Sequence, residues 1–238
     1  MIMRLILCLL SVLFYVYSYA SADTIRTDIP CDTLLYYKMV QNKGEGEWTL
    51  QGVRNLRPVL NGVLYRSGAN NKTAPFLNRT NDNPLAFQTL LILREIGFGK
   101  AYYLYAKNFQ EQYTPDMLSL LSQVGIDYKS VIPTNDSLVL ILLSEIQQTI
   151  EHPDRGAILV HCWNGWHMSG LVSAYALMQF CDFTPTMAWD YWRKGTDGND
   201  KGFTKLRKRI FAFQPNKQLK IGDYEKSTIC PCTNLAKQ

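Results

Sequence analysis

The sequence predicts an α/β domain, a central and mostly parallel β-sheet flanked by helices. Three observations predict it. Helical and extended patterns alternate from Leu85 to Lys194, the order that builds parallel sheets with helices on their faces. The run Gly156 to His161 is apolar, β-branched and short, as a buried central strand is. That run passes through Cys162 into a short loop with Gly165, and Ser169-Gly170 then opens a helix.

Taken in order, the first 22 residues carry Arg4 as their sole charge, a mostly apolar run through Val16, and Ala20-Ser21-Ala22 before Asp23. This is the pattern of a secretory signal cleaved after Ala22. A retained membrane anchor is the competing reading, since Phe14 to Tyr19 stays fairly apolar. The expected location is secreted or periplasmic, with no stable membrane insertion after signal removal. Residues 23–52 read as an N-terminal extension of loop character, 53–215 as the folded domain, and 216–238 as a C-terminal tail that a disulfide could tie down.

Val63 to Arg66 reads as a short strand closed by Ser67-Gly68, and the polar stretch Asn70 to Asn83 as loop. Sequons stand at Asn71, Asn78 and Asn135. Leu85 to Ile96 has helical periodicity and stops at Gly97; Ala101 to Tyr105 reads as a strand. Thr114-Pro115-Asp116 supplies a cap and a first-turn proline, Gly125 ends that helix, and Ile126 to Val131 is again extended. Leu138 to Ile150 is a third amphipathic helix. After the Gly156–His161 strand come helices from Gly170 to Phe180 and from Pro185 to Lys194, the latter capped by Thr184 and stopped by Gly195.

Of the 238 residues, 47% are apolar and 19% charged, which excludes a disordered chain. The net charge of +5 is spread out, and its densest cluster is Lys205, Arg207, Lys208 and Arg209. With no aromatic interleaving, that cluster reads as a solvated helix face, and no nucleic-acid partner is expected. Cleavage after Ala22 leaves Cys31, Cys162, Cys181, Cys230 and Cys232. This odd number leaves at least one thiol free in an oxidising compartment. With Cys162 free, three pairings remain, and Cys31 with Cys230 or Cys232 would staple the chain ends. Cys181 also reads as a core residue, and Cys230-Pro231-Cys232 as a metal pair without the second pair such a site needs.

A buried strand entering Cys162, a short loop and a helix start aim successive backbone N–H groups at one spot. Such a nest binds anions and favours a thiolate, which can attack phosphorus in line and form a covalent intermediate. The segment His161-Cys162-Trp163-Asn164-Gly165-Trp166-His167-Met168-Ser169-Gly170 resembles the phosphate loop of the protein tyrosine and dual-specificity phosphatase superfamily, H-C-x-x-G-x-x-R-[S/T]-G. Methionine stands at the arginine position. Leu64-Tyr65-Arg66-Ser67-Gly68, Gly97 and Gly125-Ile126 look like landmarks of the atypical dual-specificity branch, and the resemblance spans roughly residues 50–195. It implies a three-layer cysteine-phosphatase-like domain over 53–215, no cofactor, no metal, and a phosphorylated protein or small phosphoester as substrate.

Carried over residue by residue, Cys162 is the nucleophile, His161 tunes it from the strand end, and Ser169 assists departure of the thiolate. Trp163, Asn164, Gly165, Trp166, His167 and Met168 form the phosphate-binding loop. The general acid comes from the segment Pro133 to Ser137, where Asp136 is the candidate; an aspartate there equally suits a helix start. Asp197 and Asp200 could serve the site, bind calcium, or belong to a plain loop. A thioether lacks the planar fork with which arginine grips two phosphoryl oxygens, at a cost of ~3–4 kcal/mol or ~10²–10³ in rate by analogy with an oxyanion-hole donor. His167 could restore positive charge, while Trp163 and Trp166 could wall the site or pack in the core. Three readings follow: a phosphatase of reduced activity, a pseudophosphatase that binds phosphorylated or anionic ligands without turnover, and thiol chemistry unrelated to phosphate.

Overall fold

The computed structural model describes residues 25, 29–42, 50, 52–69, 84–105 and 113–232. The signal segment and the sequons at Asn71 and Asn78 lie outside them. The elements are β1 (Val53–Leu60), β2 (Leu64–Ala69), α1 (Phe87–Glu95), β3 (Phe98–Tyr103), α2 (Pro115–Val124), β4 (Asp127–Ser130), α3 (Asp136–Glu151), a 3-10 turn (Pro153–Arg155), β5 (Ala157–Cys162), α4 (Met168–Phe180), α5 (Pro185–Lys194), α6 (Thr204–Ala212) and α7 (Asp223–Ile229). The strands lie in the order β1-β2-β5-β3-β4. Among the described strands only β1 and β2 pair antiparallel. The architecture is the α/β class that the alternation predicts.

Local chemistry sets the helix ends. Thr114 and Thr184 accept from the amides of Met117 and Met187, each ahead of a first-position proline, so both caps work as the sequence indicates. Asn135 accepts from Leu138 N and starts α3. Gly125 closes α2 at φ 79°, a conformation that costs glycine nothing.

The period of two along β5 sorts its side chains between two cores. Ile158 and Val160 join one formed with α3, α4 and α5; Ala157 and Leu159 join the other, with α1, α2 and Met39. Cys162 continues the first face and His161 the second. Helix α4 is buried along nearly its whole circumference, as befits a helix packed between others.

The structure extends or corrects the sequence reading in several places. β1 has no clear signal, because Arg54, Asn55, Arg57 and Pro58 interrupt its apolar pattern; at a sheet edge such residues are tolerated. Ser67 and Gly68 do not close β2 but belong to it, pairing with His161 and Cys162. β3 starts at Phe98, three residues early, and α4 at Met168. The tail folds into α7. Cys31 pairs with Cys232 and Cys181 with Cys230, and Cys162 alone among the described cysteines is free. The chain-end staple is thus present, while Cys181 is a disulfide partner as well as a buried residue, and Cys230 and Cys232 are not metal ligands. The extension is not a loose loop where it is described: Met39 N and Val40 N donate to Leu56 O, Asn55 N donates to Gln41 O, and Met39 and Val40 are fully buried. Among the described residues, no helix is long and apolar enough to cross a membrane.

Candidate active site

Strand β5 delivers Cys162 to the C-terminal edge of the sheet, and residues 163–167 lead from it into α4. The first bond of that helix runs from Leu171 N to His167 O. The amides of Met168, Ser169 and Gly170 therefore have no partner one turn back, and the His167 side chain does not cap them. Cys162 is buried, with its Sγ 3.4 Å from Ser169 Oγ.

Four successive carbonyls of the loop are engaged from outside. Asn55 Nδ2 donates to Asn164 O at 2.7 Å, Arg66 Nη2 to Gly165 O at 2.7 Å and Trp166 O at 3.2 Å, and Trp192 Nε1 to His167 O at 3.1 Å. In a planar trans peptide the N–H of the next residue points opposite to the C=O. Four successive carbonyls held outward thus turn the amides of Gly165, Trp166, His167 and Met168 inward, in line with the open end of α4. Gly165 makes the turn at φ 75°.

The loop lies flush on β2. A Cβ on Gly68 would sit 2.4 Å from Asn164 C and 2.6 Å from Gly165 N, and one on Gly165 would sit 2.6 Å from Gly68 N. These neighbours are backbone and cannot swing aside. Gly68→Ala therefore displaces the loop: we expect about 1–3 kcal/mol of destabilisation and loss of phosphate protection of the Cys162 thiol, measured by denaturant unfolding and by alkylation rate. An unchanged alkylation profile contradicts the close approach.

His161 is fully buried, stacked on Tyr103 at 4.5 Å between ring centroids and hydrogen bonded through Nε2 to the Tyr128 hydroxyl at 2.7 Å. Burial pushes its pKa down to about 3, against a smaller opposing effect of the Cys162 backbone. The ring is neutral at physiological pH. Between that value and about 6.5 the unfolded chain holds the extra proton. Stability is accordingly full above pH 6.5 and falls on acidification toward 3, by up to ~1.4 kcal/mol per pH unit. Unfolding free energies measured across this range, with His161→Gln showing a shallower slope, check it.

His167 does not stand in for the missing arginine. Its Nε2 donates to Asn199 O at 2.9 Å, its ring stacks on Phe203 at 3.8 Å, and burial, outweighing the Asn199 bond, holds its pKa below the usual value. Met168 packs against the core formed by α3, α4 and α5. Trp163 is half-buried, and Trp166 is tied to Asp197 through Nε1 at 3.1 Å. Asp136 sits in the first turn of α3, on the wall of a cavity of about 360 Å³ shared with Tyr175, Arg209 and Phe213, and none of residues 161–169 lines it. The structure thus brings Cys162, His161, Ser169 and the loop together, while Asp136 lines the cavity beside α3. Arg209, one of the basic cluster, turns inward and donates to Pro133 O.

Positive charge at the loop comes from strands instead. Arg66 is fully buried, and its Nη2 also donates to Gly195 O at 3.1 Å. Arg57 is 3% exposed, with Nη2 3.9 Å from Asp197 Oδ2; burial first, then the Arg66 charge, pushes its pKa down to about 10, which leaves it cationic. Arg54 lies 5.8 Å from the Trp166 ring. Asp197 accepts from Lys38 Nζ and from Asn42 Nδ2, both at 2.7 Å. Burial alone would raise its pKa, but the Lys38 bond, the Arg57 charge and the Asn42 bond hold it below the usual carboxylate value. A carboxylate ringed by N–H donors is no calcium ligand, which removes that reading of Asp197. Asn55, Arg54, Arg57, Lys38 and Asn42 have no signal in the sequence, and Arg66 appears there only as part of a landmark.

No family model and no curated protein sequence matches the chain. Among solved structures it is similar to the core catalytic domain of the PP-IP phosphatase SIW14 from S. cerevisiae, at 20% identity and TM-score 0.47 over 69% of this chain and 88% of that one. It is similar to P. aeruginosa TpbA at 16% identity and TM-score 0.45, over 66% and 86%. A kinase associated phosphatase whose catalytic-site cysteine is replaced by serine matches at 18% identity and TM-score 0.45, over 63% and 89%.

Proposed function

We propose that the chain is an exported, cysteine-dependent phosphatase-like protein that acts slowly on phosphoesters through Cys162. The observation that carries this reading is the outward tethering of the carbonyls of residues 164–167, which leaves four inward amides and an uncapped helix end beside a free thiol. Such an arrangement supports binding of a tetrahedral oxyanion above the sulfur.

In the first step Cys162 Sγ attacks phosphorus, the P–S bond forms, and the P–O bond to the leaving group breaks. The leaving oxygen needs a proton, for which Asp136 is our candidate donor. Asp136 lines a cavity to which no residue of 161–169 contributes, so this reading favours aryl phosphates, whose leaving groups need little protonation. In the second step water attacks phosphorus, phosphate leaves with the water oxygen, and the thiolate departs toward Ser169 Oγ, which donates a hydrogen bond to it. Trp163 and Trp166 border the mouth. The reading needs no cofactor. Two disulfides support an oxidising location, consistent with the signal pattern at residues 1–22.

A pseudophosphatase is the second reading, and the core-facing Met168 side chain favours it. A panel of phosphoesters separates the two. The enzyme reading expects phosphate release that iodoacetamide abolishes and inorganic phosphate protects. Protection without release of phosphate from any member of the panel favours the binding module.

A further inference from the structure

The loop after α5 grips the phosphate loop at three consecutive residues. Arg66 ties Gly165 O and Trp166 O to Gly195 O, Asp197 takes the Trp166 indole, and Asn199 O takes the His167 ring. Among the described residues, Asp197 also reaches the N-terminal segment. Its Oδ1 accepts from Lys38, and its Oδ2 accepts from both Asn42 and Trp166. Lys38 and Asn42 are themselves fixed, because the chain between them is zipped to β1 by Met39, Val40 and Gln41.

We infer that Asp197 is a positioning residue: it clamps Trp166, and with it the inward amides of the phosphate loop, onto the N-terminal segment through Lys38 and Asn42. The inference rests on the phosphate-binding reading of that loop and adds a residue to it. Trp166 is held at both ends, its carbonyl by Arg66 and its indole by the Asp197 carboxylate. The carboxylate also offsets Arg57, a buried cation whose Nε has no hydrogen-bond partner and which lies beside the cationic Arg66. Without it, two guanidinium groups beneath the loop repel each other and the indole loses its acceptor. Asp197 holds a left-handed backbone conformation at φ 53°, so the carboxylate is presented from a fixed turn. The sequence marked this aspartate as a candidate; its partners show what it does.

The test measures the phosphate concentration that half-protects Cys162 from iodoacetamide, a readout independent of turnover, in the wild type, Asp197→Ala, Asp197→Asn, Asp197→Glu and Trp166→Phe. Trp166→Phe keeps an aromatic ring and removes the indole donor. Asp197→Ala is expected to raise the half-protecting concentration about tenfold, Trp166→Phe in the same direction, and the double variant less than the product of the two. Asp197→Asn, which keeps an acceptor for the indole, falls between wild type and Ala, and Glu restores part of the loss. For aryl phosphates the effect falls on KM more than on kcat. Half-protection within twofold of wild type in Asp197→Ala, or fully multiplicative effects in the double variant, overturns the inference. A wild type that phosphate does not protect overturns this inference together with the loop reading. Protection without turnover leaves the inference standing and removes only the enzyme reading.

Discussion

Replacing Cys162 by serine lowers phosphate release from an aryl phosphate by on the order of 10⁴–10⁶-fold, by analogy with removal of a protease nucleophile, while phosphate binding stays within a few-fold of wild type. The two effects separate because different atoms produce them. Chemistry needs the sulfur, since a serine hydroxyl is a weak nucleophile without an adjacent base. The nearest candidate base, His161, is turned toward Tyr128 through Nε2. In the proposed reading, binding rests on the inward amides and the open end of α4, none of which the substitution touches. The side chain is buried and its neighbour Ser169 Oγ is 3.4 Å away, so a serine hydroxyl fits and finds a hydrogen-bond partner. Phosphate titrations followed by tryptophan fluorescence, alongside turnover assays, provide both numbers. Residual release near the wild-type rate would assign the chemistry to another group.

Met168→Arg is expected to raise kcat/KM by about 10²–10³-fold, the inverse of the loss of one transition-state donor. The residue starts α4 and carries the last of the inward amides, so a guanidinium extended from it is expected to reach the same anion and add a bidentate contact. The native thioether packs against the core instead. Freeing that pocket costs about 1–3 kcal/mol of stability, and thermal unfolding should show it. The cations already present do not make the substitution redundant. Arg66 binds the carbonyl side of the loop, and Arg57 is directed at Asp197; both raise the local potential without presenting a fork to the ligand. An unchanged kcat/KM in a folded variant would mean that the amides do not converge where an arginine at this position points.

What the sequence made legible is what is encoded locally. The strand, loop and helix around Cys162 lie within 15 residues, and the nest follows from their order. The caps at Thr114 and Thr184 follow from side-chain chemistry within one turn. The free state of Cys162 was one of the open arrangements of an odd cysteine count, and the structure selects it.

What escaped depends on contacts far apart in the chain. Lys38 and Asn42 meet Asp197 across 159 and 155 residues, so nothing in their own neighbourhood marks them. β1 escaped because its polar residues are engaged at long range: Asn55, at φ 51° where the β1–β2 register shifts, reaches Asn164 O, and Arg57, paired with Arg66 across the hairpin, faces Asp197. In a strand these residues look like breaks, and only the loop they support explains their burial. The expectation for His167 went astray for a related reason. Its position beside the vacant arginine site is visible in sequence, whereas the Asn199 carbonyl and the Phe203 ring that claim it arrive from the segment after α5. In sequence Ser67-Gly68 looks like a strand stop, although the glycine serves close approach of two backbones.

The most direct test of the central claim is the anomalous difference density of a crystal soaked in tungstate, an inert tetrahedral oxyanion. The account predicts one strong peak above Cys162 Sγ, with its oxygens about 3 Å from the amides of Gly165, Trp166, His167 and Met168. Density confined to the surface cations Lys205, Arg207 and Lys208, with the loop amides turned away from one another, would contradict it.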